Sequence, residues 1–297
     1  MMKEQVLTEL NPLKKELNTY LPSIVDKLNN ILEDSLEDES KSILFDKFHS
    51  ILCMWFSGDD TSRNDTYINH EYTKKILVRF PIVECLLQNI YGSTEITKNS
   101  KFGKVCRQFT LAILGENIIR QNLSSIMDYG YRIKQITKDV ISNDDKQEIL
   151  SGVFEHLFTA FSSKESDVAG VVYTPSEVVN FMVESVHECL VNEFGIEQGL
   201  NDSNVNILDP CTGCGNFISA IIEKQNQVAN TFGSSIADNI HGYEISLLSC
   251  YVSEIVIGKI SADLSKGDTR VNAKIRWCDT METDVGNKVI DNQFPLI

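Results

Sequence analysis

Apolar residues recur at three- and four-residue steps through the first 165 residues, the spacing of one buried helix face. Leu7, Leu10, Leu13, Leu17 and Leu21 make the first stripe, and Ile24, Leu28, Ile31 and Leu32 carry it past Pro22. Further stripes are Ile43, Phe45, Phe48, Leu52, Trp55, Phe56, then Ile76, Leu77, Phe80, Val83, Leu86, Leu87, Ile90, then Val105, Phe109, Ala112, Ile113. Residues 147–161 repeat the pattern with Ile149, Leu150, Val153, Phe154, Leu157, Phe158 and Phe161. Turn chemistry at Ser57-Gly58-Asp59-Asp60 and Tyr91-Gly92-Ser93 separates the stripes. Together they predict a helical domain over residues 1–165, with about five to seven helices and no solenoid repeat.

From residue 166 the pattern changes. A helix with Val179, Met182, Val183, Val186 and Leu190 on its apolar side begins after Thr174-Pro175, with Thr174 as N-cap and Pro175 at the first helical position. The short apolar run Val205–Leu208 then closes on Asp209-Pro210 and a glycine-containing turn. Phe217, Ile218, Ala220, Ile221 and Ile222 form a helical stripe. Ile240–Tyr243 reads as a second strand, Leu247–Ile260 as a helix, Lys274–Trp277 as a third strand, and Phe294–Ile297 as the start of a fourth. Strands alternating with helices predict a parallel, doubly wound sheet over 166–297. The fold class expected is therefore α plus α/β. A ligand of such a sheet sits at the carboxyl ends of the strands, beside the turn after the first.

Composition narrows the function classes. The 297 residues are 42% apolar and 23% charged, which excludes wholesale disorder. No apolar run approaches the roughly 20 residues of a membrane helix. Met1–Leu10 carries Lys3, Glu4 and Glu9, unlike a signal peptide. Eight dispersed cysteines form no disulfide framework and point to a reducing cytoplasm. The formal net charge of −15 is uneven: residues 1–165 hold 20 basic and 24 acidic side chains, and 166–297 hold 7 and 18. A polyanion-binding protein usually presents the opposite sign. One stretch runs against the acid: Lys98, Lys101, Lys104 and Arg107 step by three, followed by Arg120, Arg132, Lys134 and Lys138. It reads either as a solvated helix face or as a contact for nucleic-acid phosphates.

The most specific local pattern is Asp209-Pro-Cys-Thr-Gly213-Cys-Gly215-Asn216-Phe217. Gly213 and Gly215 let backbone approach a ligand at the start of a helix, whose first N–H groups are free. Ile218 stands where a dinucleotide fingerprint has its third glycine, so a nicotinamide-dependent dehydrogenase is disfavoured. Asp209 repels a pyrophosphate and suits a cationic ligand. Cys211 and Cys214 form a C-x-x-C with no second pair to complete a zinc site. Glu244 and Asp279 end the second and third predicted strands. Each alone reads as a helix cap or loop acid. Three acids in register, Asp209, Glu244 and Asp279, suit a ligand that carries a cation, a ribose diol and an adenine amino group.

The elements Gly170-Val-Val-Tyr173-Thr174-Pro175 and Asp209-Pro210…Gly213-Cys-Gly215-Asn216-Phe217 resemble motifs X and I of the amino-methylating DNA methyltransferases of restriction–modification systems. Their order, behind a helical region, is similar to that of the adenine-N6 gamma class. The Gly152–Leu157 helix and the Gly-Asn-Phe ending resemble the fused type IIG and type ISP enzymes, relatives of the type I modification subunits. The resemblance covers roughly residues 147–297. It implies an incomplete Rossmann-like domain binding S-adenosylmethionine. Asp209, Pro210, Gly213, Gly215, Asn216 and Phe217 then lie at its methionine and ribose. Tyr173, Thr174 and Pro175 close over the methionine end, Glu244 holds the ribose hydroxyls, and Asp279 the adenine amino group. It also implies double-stranded DNA as a partner, with a C-terminal remainder or a specificity subunit. The class acts through an Asn/Asp-Pro-Pro-aromatic motif after the fourth strand, and no Pro-Pro occurs here. The expectation is thus the cofactor half of such an enzyme, inactive alone, or a DNA- or subunit-binding assembly module.

Overall fold

A computed structural model of the chain describes residues 3–57, 68–92, 97–98, 100–138, 140, 143–161, 174–229, 239–264 and 274–281. It divides into two compact units, Met1–Gly170 and Val171–Ile297. The expected fourth strand, Tyr173 and the turn after Ser57 lie outside the described residues.

The first unit contains seven helices among its described residues: α1 (Lys3–Leu36), α2 (Glu39–Ser57), α3 (His70–Tyr91), α4 (Lys101–Leu114), α5 (Glu116–Asn122), α6 (Ser124–Thr137) and α7 (Asn143–Phe161). Pro12 and Pro22 both lie inside α1 and Pro81 inside α3. A proline there removes one backbone hydrogen bond and crowds the preceding turn. The stripe Leu10, Leu13, Leu17, Leu21, Ile24, Leu28 and Leu32 stays buried past both prolines of α1, and tertiary burial holds the helix together. Starts are capped locally. Asn69 accepts the Tyr72 N–H at 2.8 Å, and Ser100 accepts that of Gly103 at 3.0 Å. Helix α3 is buried nearly all round, from Thr73 to Ile90, and packs chiefly on α6 and α4. Gly130 on α6 permits this approach, since a Cβ there would stand 2.7 Å from Asn89 Cβ. Helix α7 packs on α1.

The second unit begins with α8 (Ser176–Asn192) and a 3₁₀ turn (Gly199–Asn201). It continues through β1 (Ile207–Asp209), α9 (Asn216–Ala229), β2 (Ile240–Glu244), α10 (Leu247–Leu264) and β3 (Lys274–Trp277). The strands form a parallel sheet of order β1-β2-β3, pairing Asp209 with Gly242 and Glu244 with Trp277. Both crossovers step the same way, and right-handed connections of that kind put α9 and α10 on one face, where they pack together. Helix α10 is buried over most of its surface, with Tyr251, Val252, Ile255 and Val256 inside and Glu254 exposed.

Two expectations are corrected here. The helix cap falls one residue later than the sequence predicts: Pro175 is the N-cap, its carbonyl taking the Val178 and Val179 N–H groups, and Thr174 precedes it. The apolar stripe of α8 is also narrower. Val179, Val183 and Leu190 are buried, whereas Met182 and Val186 are exposed, because α8 packs mainly on α9 and the 3₁₀ turn.

Candidate cofactor site

The carboxyl ends of the three strands converge on the turn after β1. Asp209 closes β1, and its Oδ1 accepts the Cys211 N–H at 3.1 Å. Thr212 anchors the turn: its N–H donates to Tyr243 O at 2.9 Å, tying it to β2, and its hydroxyl donates to Asp209 O at 3.1 Å. Gly213 and Gly215 have φ of +56° and +91°, the left-handed region that side chains disfavour. A Cβ on Gly213 would meet nothing within 4 Å, so its backbone faces open space. Gly215 instead lies against Ser253 and Ile257 of α10, both 3.2 Å from such a Cβ. The turn then enters α9 at Asn216 and Phe217, both half-buried.

Glu244 closes β2 and reaches across to the same turn. One carboxylate oxygen accepts the Gly213 N–H at 2.8 Å and the other the Ser246 N–H at 2.7 Å. Its backbone carbonyl receives the Cys278 N–H at 3.0 Å, joining β3 to the site. Asp279 follows β3 and accepts the Met281 N–H at 2.9 Å through Oδ1. Thr280 donates to Pro210 O at 2.6 Å, which brings the segment after β3 onto the turn after β1.

The electrostatics follow from this crowding. Burial pushes the Asp209 carboxyl up to about 6, the Cys211 N–H opposes the shift, and the nearby Glu244 charge adds to it. The Asp209 Oδ2 atom is buried and meets no hydrogen-bond donor among the described residues. Burial also raises Glu244, opposed by its backbone N–H partners. A buried acceptor without a donor is costly unless a ligand completes it. A cationic donor is the group that these two carboxylates would take.

The structure thus brings Asp209, Pro210, Gly213, Glu244 and Asp279 around one turn. No hydrogen bond joins Thr174 or Pro175 to that turn among the described residues. Cys211 is exposed, Cys214 is buried, and no metal-binding group of three occurs among the described residues. Three contributors escaped the sequence reading: Thr212, Thr280 and Gly242. A glycine in mid-strand signals close backbone approach, and that signal was available for Gly242.

The basic stretch of the first unit is only partly free. Lys98, Lys101, Lys104, Lys134 and Lys138 are exposed and make no ion pair among the described residues. The arginines are tied to acids. Arg107 turns inward onto the nearly buried Glu84, through Nε at 2.9 Å and also Nη2. Arg120 pairs with Glu116 at 2.7 Å, and Arg132 with Glu16 at 2.6 Å.

Comparison with known proteins places this architecture. No curated protein sequence matches the chain significantly. Among solved structures, the DrdV–DNA complex, determined by cryo-EM, matches with a TM-score of 0.77 and 19% identity, over 100% of this chain and 29% of that one. A nuclease-deletion mutant of the type ISP restriction-modification enzyme LlaGI, in complex with a DNA substrate mimic, matches at 0.68 and 23%, over 95% and 23%. The ATP-dependent type ISP restriction-modification enzyme LlaBIII, bound to DNA, matches at 0.67 and 24%, over 93% and 18%. The chain therefore spans less than a third of each of these proteins, with which it shares a fold. A family model for N-6 DNA methylases matches residues 145–294, from within α7 through all three strands. That is half of the sequence, and the chain belongs to the N-6 DNA Methylase family.

Proposed function

We propose that this chain is the helical and cofactor-binding portion of an adenine-N6 DNA methyltransferase of a restriction–modification system, of type IIG or type ISP organisation. In this reading residues 1–165 are its helical domain. Residues 166–297 are the first part of a Rossmann-like methyltransferase domain that binds S-adenosylmethionine. The observation that carries it is the convergence of Asp209, the Gly213 turn and Glu244 at the ends of adjacent parallel strands. The residues fit the cofactor. Asp209 keeps one buried oxygen without a donor, Gly213 offers open backbone, and the site is acidic where the ligand is cationic.

Asp209 and Pro210 would hold the methionine end, with Gly213, Gly215, Asn216 and Phe217 shaping the wall beside it. Glu244 would take the ribose hydroxyls on the lone pairs that its two N–H donors leave, and Asp279 the adenine amino group. Thr174 and Pro175, with Tyr173, would close the methionine side. Bound there, S-adenosylmethionine supplies an electrophilic methyl group. This chain's residues bind and orient it, and the chemistry at adenine belongs to an Asn-Pro-Pro-aromatic motif that this sequence does not contain. The chain alone would then bind cofactor without methylating DNA. Calorimetric titration tests the site: equal affinity for S-adenosylmethionine in the wild type and in Asp209→Ala/Glu244→Ala would overturn it.

A second reading rests on the exposed lysines 98, 101 and 104. It makes the helical unit a DNA- or subunit-docking module, with double-stranded DNA or a specificity subunit as partner. A gel shift with random duplex at low salt, lost on replacing the three lysines by Gln, supports it, and no shift removes DNA contact by this chain. No described helix is long and apolar enough to cross a membrane, and a cytoplasmic location accords with the free cysteines.

A further inference from the structure

The two carboxylates of the site are not equivalent. Glu244 is satisfied, with each oxygen accepting a backbone N–H. Asp209 has one such bond, and its second oxygen is buried without a donor. An ionised carboxylate with a bare buried oxygen, beside a second carboxylate, is the less stable state of the pair. Among the described residues, the titratable groups facing Asp209 are Glu244 from the end of β2 and Cys211 in its own turn. Among the described residues no cation acts on Asp209.

We propose that Asp209 is the charge-selecting residue of this site: in mildly acidic solution it holds a proton in the free protein and releases it to solvent when a cationic ligand docks. The inference rests on the cofactor reading above and deepens it. The proton leaves an Asp209 oxygen for the buffer base as the ligand's ammonium or sulfonium arrives. The ionised carboxylate then faces a charge of opposite sign, and its bare oxygen gains a partner. Glu244 does not exchange in this way. Each of its oxygens already has an N–H donor, and those bonds pin the Gly213 turn to β2.

Burial places the Asp209 carboxyl near pH 6, inside the range where the ligand's own α-amino group keeps its proton. Affinity should rise with pH up to that point, approaching tenfold per unit well below it, and level off above it. Calorimetry with S-adenosylmethionine at pH 6, in two buffers of different ionisation enthalpy, should read about half a proton released per ligand bound. At pH 7 the release should fall to about a tenth of a proton. Asp209→Asn, with folding checked by circular dichroism, should abolish either the pH dependence or the binding itself. Binding that is tight and flat from pH 5 to 7, with no proton released, would overturn the inference and leave the cofactor site standing. Proton release that persists in Asp209→Asn would assign the proton elsewhere and equally overturn it. An absence of binding at every pH would remove the cofactor reading and this inference together.

Discussion

At the scale of single residues, the site is built by close approach. Gly242 sits in mid-β2, where a Cβ would stand 2.5 Å from the Thr212 hydroxyl and 2.7 Å from Ile218 and Ile275. None of the three can yield easily: Thr212 and Ile218 are buried, and Ile275 lies on the neighbouring strand. Gly242→Ala should therefore cost about 1–3 kcal/mol in urea denaturation. Because Thr212 carries the turn, the same change should weaken S-adenosylmethionine binding in proportion. An alanine variant as stable as wild type would mean that the strand and turn are looser than drawn. Asp209 is opposite in sign. Its folded-state value is raised from 3.8 to about 6, so its contribution to stability is full below pH 3.8 and lost as pH rises through 6. At pH 7.5 the wild type carries an ionised carboxylate with a bare buried oxygen. Asp209→Asn should be more stable there by about 1–2 kcal/mol, an advantage that vanishes by pH 4. The residue that weakens the fold at neutral pH is the one on which the binding reading depends.

At the scale of elements, the helical period was legible and the phase of individual side chains was not. Lys98, Lys101, Lys104 and Arg107 suggest one basic side, yet each three-residue step loses about 60° against the helix repeat. Between Lys101 and Arg107 the drift is about 120°, enough to carry Arg107 onto Glu84 of α3. Spacing alone could not show this, because Glu84 comes from another helix. That pair now pins α4 to α3. Glu84→Ala leaves the guanidinium half-buried without its carboxylate and should cost about 2–4 kcal/mol, with a smaller loss in a Glu84→Met/Arg107→Met double variant. A single variant that costs no more than the double would show that the pair is not coupled. The helices with prolines teach a related lesson. Propensity argues against Pro12, Pro22 and Pro81 inside helices, and the continuous buried stripe outweighs it. The strands were legible because the short segments holding Ile207, Ile240 and Trp277 alternate with helical stripes and each ends on an acid. Helix α8 was over-read: its stripe predicted Met182 and Val186 inside, and its few neighbours leave them outside.

At the scale of the whole molecule, the two units should answer acid differently. In the first, burial lowers His49 and His156. A histidine held neutral in the fold contributes stability above its unfolded value of 6.5, which is lost as pH falls through its depressed folded value. Glu16 and Asp38, lowered by hydrogen bonds from Arg132 and Ser40, act in the same direction at lower pH. In the second unit, His187 and His241 are likewise lowered by burial, but Asp209 and Glu244 are raised. Acidification costs the second unit its neutral histidines while relieving its buried carboxylates, so the two effects oppose. The chain provides its own reporters, since its two tryptophans divide between the units: Trp55 on α2, beside Phe102, and Trp277 at the end of β3, donating to Ile245 O at 2.8 Å. With Trp277→Phe, fluorescence follows the first unit, and with Trp55→Phe it follows the second. Between pH 7.5 and 5.5 the urea midpoint seen by Trp55 should fall, while that seen by Trp277 should move less. If the two midpoints fall together, either the units unfold as one or the buried carboxylates of the cofactor site do not hold protons as their surroundings dictate. Adding Asp209→Asn separates these, because removing one of the two opposing carboxyls should make the Trp277 midpoint more acid-sensitive than before.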